Sequence, residues 1–178
     1  IKNGVKTHWI ETLNEREQLC KKVEIVPLEV IIRNRATGSF VKRYGAEEGK
    51  IFKRPTFELS YKNDDLGDPL LNDDHALALE LVTEDELAGI KEQTFLINDL
   101  LSKLFDKMNL ILVDYKIEFG RDKDGNILLA DEISPDSMRL WDKDTLKKLD
   151  KDRFRQDLGD VMGAYREVLR RLEKALAE

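Results

Sequence analysis

The stretch Leu110–Gly120, LILVDYKIEFG, predicts a β-strand around which the rest of the chain can be organised. Apolar side chains alternate there with Asp114, Lys116 and Glu118, and a period of two is typical of a strand with one apolar face. The segment Ile127–Ile133, ILLADEI, predicts a return strand, and the connection between the two contains Asp-Gly. The two strands are therefore expected to form a hairpin with a longer turn.

The charged face of the first strand has two interpretations. It is either a solvated face whose charges pair along the strand, or one wall of a ligand-binding cleft. The return strand brings Asp131 and Glu132 toward the same end, where converging carboxylates would repel each other unless a cation lay between them. Mg²⁺ is held by one or two carboxylates together with phosphate oxygens and water. The hairpin is therefore a candidate site for a metal and a phosphorylated ligand.

The elements around the hairpin favour the α+β class, because strands and helices do not alternate regularly. The other predicted elements are two strands separated by a kink at Pro27 over residues 23–33, a turn over 35–39, short strands over 40–61, a long loop over 62–75, a helix from the capping box Thr83–Glu86 to Asn109, and a terminal helix over 151–178 capped by Asp150 or Asp152.

Composition excludes several classes of function. Lys plus Arg is 30 and Asp plus Glu is 36, a formal net charge of −6, which argues against a non-specific nucleic-acid binder. No stretch reaches the roughly 18 apolar residues of a membrane span. Cys20 is the only cysteine, which favours a reducing compartment, and His8 and His75 are the only histidines. A zinc site and a Ser-His-Asp triad are therefore not expected, so any chemistry falls to carboxylates, Lys and Arg.

A second cluster of candidate residues follows the strand that starts after Pro27. Arg33 and Arg35 are followed by Thr37-Gly38-Ser39, where guanidinium groups, hydroxyls and turn N–H groups could bind an anion. The alternative is a pair of surface arginines at a strand end. The segment lacks the Gly-x4-Gly-Lys spacing of a P-loop.

At these two places the chain resembles SAICAR synthetase, the phosphoribosylaminoimidazole-succinocarboxamide synthase family. Val26–Ser39, VPLEVIIRNRATGS, is similar to its first signature, and Leu112–Gly120, LVDYKIEFG, to its second. The resemblance extends over essentially the whole chain and includes Lys62–Asp64, Asp68–Pro69, Asp131–Asp136, Arg139–Asp142 and Asp150–Arg155.

The resemblance implies an ATP-dependent ligase of de novo purine biosynthesis. Such an enzyme joins the carboxylate of the nucleotide CAIR to the amine of L-aspartate, with ATP and Mg²⁺, and releases SAICAR, ADP and phosphate. It also implies a two-lobed fold related to ATP-grasp and kinase-like nucleotide-binding folds, a cytoplasmic location and a homo-oligomer, for which we expect a dimer. Neither nucleic acid nor a membrane is an expected partner.

The resemblance further assigns roles to individual residues. It places Asp114 and Lys116 beside the reacting carboxylate, Glu118 and Asp131 at the metal and nucleotide, Arg33, Ser39 and Arg139 at the CAIR phosphate, Asp136 at the substrate rim, the backbone of Glu24, Ile25 and Val26 at adenine, and Lys62 and Asp64 on the aspartate side.

This chain differs from the family in one respect. Family members carry roughly sixty further residues at the N-terminus, which the 178 residues of this chain do not include. We expect residues 1–26 to be the remainder of an N-terminal nucleotide-binding lobe and residues 27–178 to form the central and C-terminal lobe. The 178 residues alone are then expected to bind CAIR better than ATP and to be inactive. Two alternatives stay open: a kinase-like phosphotransferase, although His-Arg-Asp and Asp-Phe-Gly motifs are absent, and a non-catalytic nucleotide-binding or assembly module.

Overall fold

The computed structural model describes residues 3–177 as a mixed α+β chain. The strands are β1 (Trp9–Thr12), β2 (Gln18–Cys20), β3 (Glu24–Ile25), β4 (Leu28–Arg35), β5 (Ile51–Tyr61), β6 (Leu70–Leu71), β7 (Leu110–Arg121), β8 (Ile127–Ala130) and β9 (Met138–Asp142). The helices are α1 (Gly38–Tyr44), α2 (Asp73–Ala78), α3 (Glu84–Lys107), α4 (Asp152–Arg155) and α5 (Val161–Ala177), and a 3₁₀ turn lies at Asp64–Leu66.

Strand β7 organises the main sheet, as its sequence predicts. The sheet has the order β3-β7-β4-β5-β6, and β8 and β9 also pair with β7, whereas β1 and β2 form a separate hairpin. The β7–β8 hairpin pairs Glu118 with Ala130 and Gly120 with Leu128 in antiparallel register. The predicted hairpin is therefore confirmed.

The periodicity rules also predict β4 correctly. Leu28, Val30 and Ile32 are almost completely buried, as expected for one apolar face of this strand. The capping box at Thr83 is present, because the Thr83 N–H donates to Glu86 and the Thr83 hydroxyl accepts from the Glu86 N–H. Asn109, at a positive φ of 56°, follows the end of α3 where the helix was expected to stop.

Three predictions between residues 35 and 75 are wrong. The predicted turn runs into helix α1, which buries none of its residues and so lacks the apolar periodicity that would reveal it. The predicted short strands are one long strand, β5, in which Pro55 lies outside the part that pairs with β6. The predicted long loop contains the 3₁₀ turn, β6 and the start of α2, whose capping box joins Asn72 and His75.

Three predictions near the C-terminus are also wrong. Strand β8 ends at Ala130 because Asp131 adopts a left-handed backbone with φ of 57°, and the short strand β9 was not predicted. The predicted terminal helix is two helices, α4 and α5, separated by Gly159 at a φ of 68°. Phe154, in α4, is 79% exposed. The N-cap of α4 is Lys151, neither of the two predicted aspartates.

Contacts divide the described residues into two compact units. Unit 1 contains residues 3–31, 58–97 and 117–132, and unit 2 contains residues 32–57, 98–116 and 133–177. The expected boundary after residue 26 stays a prediction. Residues 1 and 2 of the predicted first lobe, and residue 178 of the predicted terminal helix, lie outside the described residues. Within residues 3–177, no helix is both long enough and apolar enough to cross a bilayer.

Candidate active site

The charged side chains of β7 are not a solvated face. Asp114 is 3% exposed and Glu118 is 4% exposed, and the alternate apolar residues Val113 and Ile117 are fully buried. A strand that is buried on both faces normally consists of consecutive apolar residues. Carboxylates buried in such a strand lose their contact with water, so they need partners of opposite charge. This burial favours the interpretation of β7 as part of a site.

In unit 2, Asp114 lies between two arginines, and we call Arg33, Asp114 and Arg139 the arginine–aspartate cluster. Arg33 Nη1 donates to Asp114 Oδ2 at 2.7 Å, and Arg139 Nη1 donates to the same oxygen at 2.9 Å. Burial raises the pKa of Asp114, and attraction to Arg139 and Arg33 opposes that rise. Two short charge-assisted bonds therefore compensate for the loss of solvent around this carboxylate.

Register and a bulge set the geometry of the cluster. Asp114 stands opposite Arg139 where β7 pairs with β9, and the register shifts between Leu112 and Asp114. A bulge re-aims the side chains that follow it, and bulges are over-represented beside active sites. The sequence predicted Asp114 and Arg139 as site residues by resemblance, but neither β9 nor the bulge in β7 carried a recognisable sequence signal.

The start of α1 completes the cluster on one side. Ser39 Oγ accepts a hydrogen bond from Arg33 Nη2 at 3.1 Å and another from Arg43 Nη2 at 3.1 Å. The Ser39 hydroxyl still has its own proton to donate. Gly38 adopts a φ of 53°, and a Cβ atom built on it would lie 2.6 Å from Arg139 Nη2. The Arg139 guanidinium therefore rests directly on the Gly38 backbone, which only glycine permits at this distance.

Asp150 and Asp152, predicted from the sequence only as caps of the terminal helix, also support the cluster. Asp152 Oδ2 accepts from Arg139 Nε at 2.8 Å. Asp150 accepts the backbone N–H groups of Leu140 and Asp152 at 2.7 and 2.8 Å. Both lie in the segment Asp150–Arg155 that matched the family, so the resemblance could have pointed to them.

The surroundings of Lys151 show that this part of unit 2 is rich in positive charge. Burial lowers the pKa of Lys151, and the charges of Arg155, Arg139 and Lys116 lower it further, whereas Asp136 acts in the opposite direction. Lys151 and Arg155, to which sequence reasoning gave no role, add to the positive charge of Lys116 and Arg139. Such a concentration of cations suits an anionic ligand.

Asp136, predicted at the substrate rim, is exposed, and its carboxylate accepts a hydrogen bond from the Tyr165 hydroxyl at 2.6 Å. Lys116, predicted beside the reacting carboxylate, is partly buried, and its backbone N–H donates to Ser137 O at 2.8 Å. Asp136 and Lys116 both belong to unit 2, as does the arginine–aspartate cluster.

In unit 1, Glu118 pairs with Lys62, one of the residues predicted on the aspartate side. Lys62 Nζ lies 2.8 Å from Glu118 Oε1, and 43% of the Lys62 side chain is exposed, so a ligand can reach this pair. Asp131 is exposed and directly follows Ala130, the register partner of Glu118. Asp64 is exposed in the 3₁₀ turn. Unit 1 therefore contains Lys62, Asp64, Glu118 and Asp131, and an ion pair joins Lys62 to Glu118.

These carboxylates can be compared with what a metal ion requires. Across residues 3–177, no group of three or more His, Cys, Asp or Glu side chains is placed to hold a metal. An all-protein cage for a divalent cation is thus absent from the described part of the chain. Mg²⁺, however, is commonly bound by one or two carboxylates together with substrate phosphates. Glu118 and Asp131 fit that second arrangement by number and chemistry.

The segment predicted to meet adenine is strand β3 with the residue that follows it. Glu24 and Ile25 are exposed, and the buried Val26 donates its N–H to Phe119 O at 2.9 Å. The chain approaches β7 so closely that a Cβ atom on Gly120 would lie 2.6 Å from the Val23 side chain. Beside this segment, still within unit 1, residues 21–24 and 121–124 line a cavity of about 830 Å³.

The features of unit 2 are typical of an enzyme that binds an anionic substrate through buried arginines. A family model of SAICAR synthetase matches residues 1–172. The phosphoribosylaminoimidazole-succinocarboxamide synthase of Finegoldia magna is 62% identical over 171 residues, which are 96% of this chain and 74% of that protein. The chain therefore belongs to the SAICAR synthetase family, C–N ligases of purine biosynthesis.

Solved structures agree with this assignment. The crystal structure of phosphoribosylaminoimidazole-succinocarboxamide synthase from Ehrlichia chaffeensis matches with a TM-score of 0.94 at 49% identity, over 97% of this chain and 74% of that one. A SAICAR synthetase in complex with ADP matches with a TM-score of 0.93 at 44% identity, over 96% and 73%. The resemblance read from the two signatures, the α+β class and the ligase assignment are confirmed, which disfavours the phosphotransferase and the non-catalytic module.

Proposed function

We propose that this chain forms the amide bond between the carboxylate of CAIR and the amine of L-aspartate, using ATP and yielding SAICAR, ADP and phosphate. The observation that carries the proposal is the arginine–aspartate cluster, in a chain 62% identical to a named phosphoribosylaminoimidazole-succinocarboxamide synthase. The ADP bound to a similar SAICAR synthetase supports the use of ATP.

In this proposal, Arg33, Ser39 and Arg139 bind the phosphate of CAIR. Guanidinium groups carry a permanent positive charge and several N–H donors suited to phosphate oxygens, and the Ser39 hydroxyl adds a further donor. Asp114 spreads its charge over both guanidinium groups, and this supports a role in holding them apart and in place. Asp136 is proposed at the rim of the same substrate site.

Glu118 and Asp131 are proposed to hold a Mg²⁺ ion together with the phosphates of ATP. When bound there, Mg²⁺ would neutralise phosphate charge and so lower the repulsion between ATP and the CAIR carboxylate. The Lys62 ammonium now neutralises Glu118, and it would have to turn toward another anion when the metal arrives. The carboxylates of the substrate L-aspartate are the proposed new partner of Lys62, with Asp64 as a second residue on that side.

The chemistry follows from a leaving-group argument. An amine cannot displace oxide from a carboxylate, so the γ-phosphoryl group of ATP is first transferred to a CAIR carboxylate oxygen, and ADP leaves. The aspartate nitrogen then attacks the acyl carbon, the C–O bond to phosphate breaks, and the nitrogen loses a proton. Lys116 is proposed beside the reacting carboxylate, where its ammonium offsets the charge that develops on oxygen. The backbone of Glu24, Ile25 and Val26 is proposed to bind adenine.

The test is a coupled assay of ADP release with CAIR, L-aspartate and ATP omitted in turn, on a complete family enzyme carrying this sequence. Glu118→Gln is expected to lower turnover about a hundredfold or more because the neutral amide cannot hold the cation. Glu92→Gln, which removes an exposed carboxylate on α3, is the matched control. Normal turnover of the Glu118 variant would overturn the metal assignment, and ADP release without L-aspartate would favour a phosphotransferase.

The same assay on the isolated 178 residues tests the expectation that they are inactive alone. Dimerisation and a cytoplasmic location also stay predictions.

A further inference from the structure

Within unit 2, Arg139 has donors that the protein does not use. Its Nε donates to Asp152 and its Nη1 donates to Asp114, at 2.8 and 2.9 Å. Neither hydrogen of Nη2 has an acceptor among residues 3–177. The Arg139 side chain is only 14% exposed and has lost most of its contact with water. Because buried polar groups normally have hydrogen-bond partners, the unused Nη2 is a candidate donor to a bound ligand.

The direction of Nη2 is determined from three sides. Asp152 fixes the Nε side of the guanidinium plane and Asp114 fixes the Nη1 side, so the plane cannot rotate without breaking a charge-assisted bond. Gly38 lies against Nη2, because a Cβ atom built on Gly38 would be only 2.6 Å from this nitrogen. The unused Nη2 of Arg139 is therefore held beside Gly38 at the start of α1, one residue before Ser39 in the sequence.

Asp152 is itself held by Asp150, which is completely buried. The two Asp150 oxygens accept one backbone N–H from the strand residue Leu140 and one from Asp152. Leu140 directly follows Arg139, so one carboxylate ties the backbone beside the arginine to the backbone of its partner. Gln156 donates to Asp152 Oδ2 at 3.3 Å and restrains the same oxygen from a second direction.

We propose that Asp152 is a positioning residue for the ligase reaction: it locks the Arg139 guanidinium so that Nη2 stays beside Gly38 at the start of α1, ready for the substrate phosphate. The inference rests on the proposed function, in which Arg139 binds that phosphate. Asp152 does not touch the substrate. Asp152 acts by restricting the rotamers of the Arg139 side chain before the substrate phosphate binds, so that less conformational entropy is lost on binding.

The experiment measures KM and kcat for CAIR in a complete family enzyme that carries Asp152→Asn. The amide keeps an acceptor for Nε but loses the charge, so KM for CAIR is expected to rise about tenfold, while kcat and the KM for ATP change less than about threefold. Asp106→Asn is the matched control, because Asp106 is an exposed partner of Lys143 in the same unit. An unchanged KM for CAIR in a folded Asp152→Asn enzyme overturns the positioning role of Asp152.

Arg139→Ala separates the inference from the proposed function. If Arg139→Ala leaves the KM for CAIR unchanged, the phosphate assignment fails and the inference fails with it. If Arg139→Ala raises it and Asp152→Asn does not, only the positioning role fails. In the double variant Arg139→Ala/Asp152→Asn, the KM for CAIR is expected to equal that of Arg139→Ala alone. If Asp152 had a merely structural role, its substitution would raise this KM further.

Gly38→Ala provides a second route that leaves both aspartates intact. The added methyl group must push Nη2 away, so the KM for CAIR is expected to rise in the same direction. This variant decides the question if Asp152→Asn does not fold, because a normal KM in a folded Gly38→Ala enzyme contradicts a preset position of Nη2.

Discussion

Asp150 gives a stability prediction whose sign is unusual for an aspartate. Burial raises its pKa from 3.8 to about 6, although the N–H groups of Asp152 and Leu140 act in the opposite direction. A raised pKa means that the folded protein binds this proton more tightly than the unfolded chain does. The contribution to stability is therefore complete below pH 3.8 and is lost as the pH rises through about 6.

The magnitude follows from the size of the shift. A change of about two pKa units at about 1.4 kcal/mol each gives about 3 kcal/mol of unfolding free energy lost between pH 4 and pH 7. The neutral variant Asp150→Asn has no proton to lose there. It also loses one hydrogen-bond acceptor, but that cost is the same at every pH and cancels when the pH dependence of the two proteins is compared.

Urea unfolding of the wild type and Asp150→Asn at half-unit steps from pH 4 to pH 7 measures this difference, with Asp106→Asn as the control for losing one carboxylate. The wild type is expected to lose about 3 kcal/mol relative to the variant over this range. Parallel stability curves, or a wild type that gains on the variant as the pH rises, would show that the two N–H donors and Arg139 outweigh burial and would refute the reasoning.

Two further predictions concern unit 1. Gly120→Ala is expected to lower the unfolding free energy by about 1–3 kcal/mol, because the new methyl group meets the Val23 side chain at 2.6 Å, and a melting temperature equal to the wild type would contradict the close approach. Glu86→Gln is expected to destabilise the protein at pH 7 by about 1–2 kcal/mol, since it weakens two bonds from Arg121. Arg121 lowers the pKa of Glu86 from 4.5 to about 2. The stability difference between the wild type and Glu86→Gln should therefore be complete above pH 4.5 and shrink as the pH falls toward 2. Denaturant unfolding at both pH limits checks this expectation.

The sequence predicts the elements whose pattern is local and strong. β4, α3 and the β7–β8 hairpin have clear periodicity or a capping box, and each is found at the expected place. α1 is missed because it buries no side chain, so no apolar stripe marks it. α5 and α4 are merged because Asp157 and Asp160 adopt left-handed conformations that no residue type announces, next to a single glycine.

The candidate site is predicted only to the extent that the two family signatures carry it. Arg33, Ser39 and Asp114 lie inside those signatures, and contacts join them in the structure. Asp150 and Asp152 were predicted only as alternative helix caps, whereas in the structure they hold a backbone segment and the Arg139 side chain. Long-range hydrogen bonds of that kind leave no periodic trace in a sequence.

The buried charges of β7 are the strongest reason to regard this strand as functional rather than structural. Removing two charges from water costs several kcal/mol each, and replacing a buried ion pair by apolar residues of similar volume is often neutral or stabilising. Val113 and Ile117 show that β7 packs apolar side chains equally well. Stability alone therefore gives no reason for Asp114 and Glu118 to be carboxylates, whereas holding two arginines in unit 2 and the proposed cation in unit 1 would give one for each.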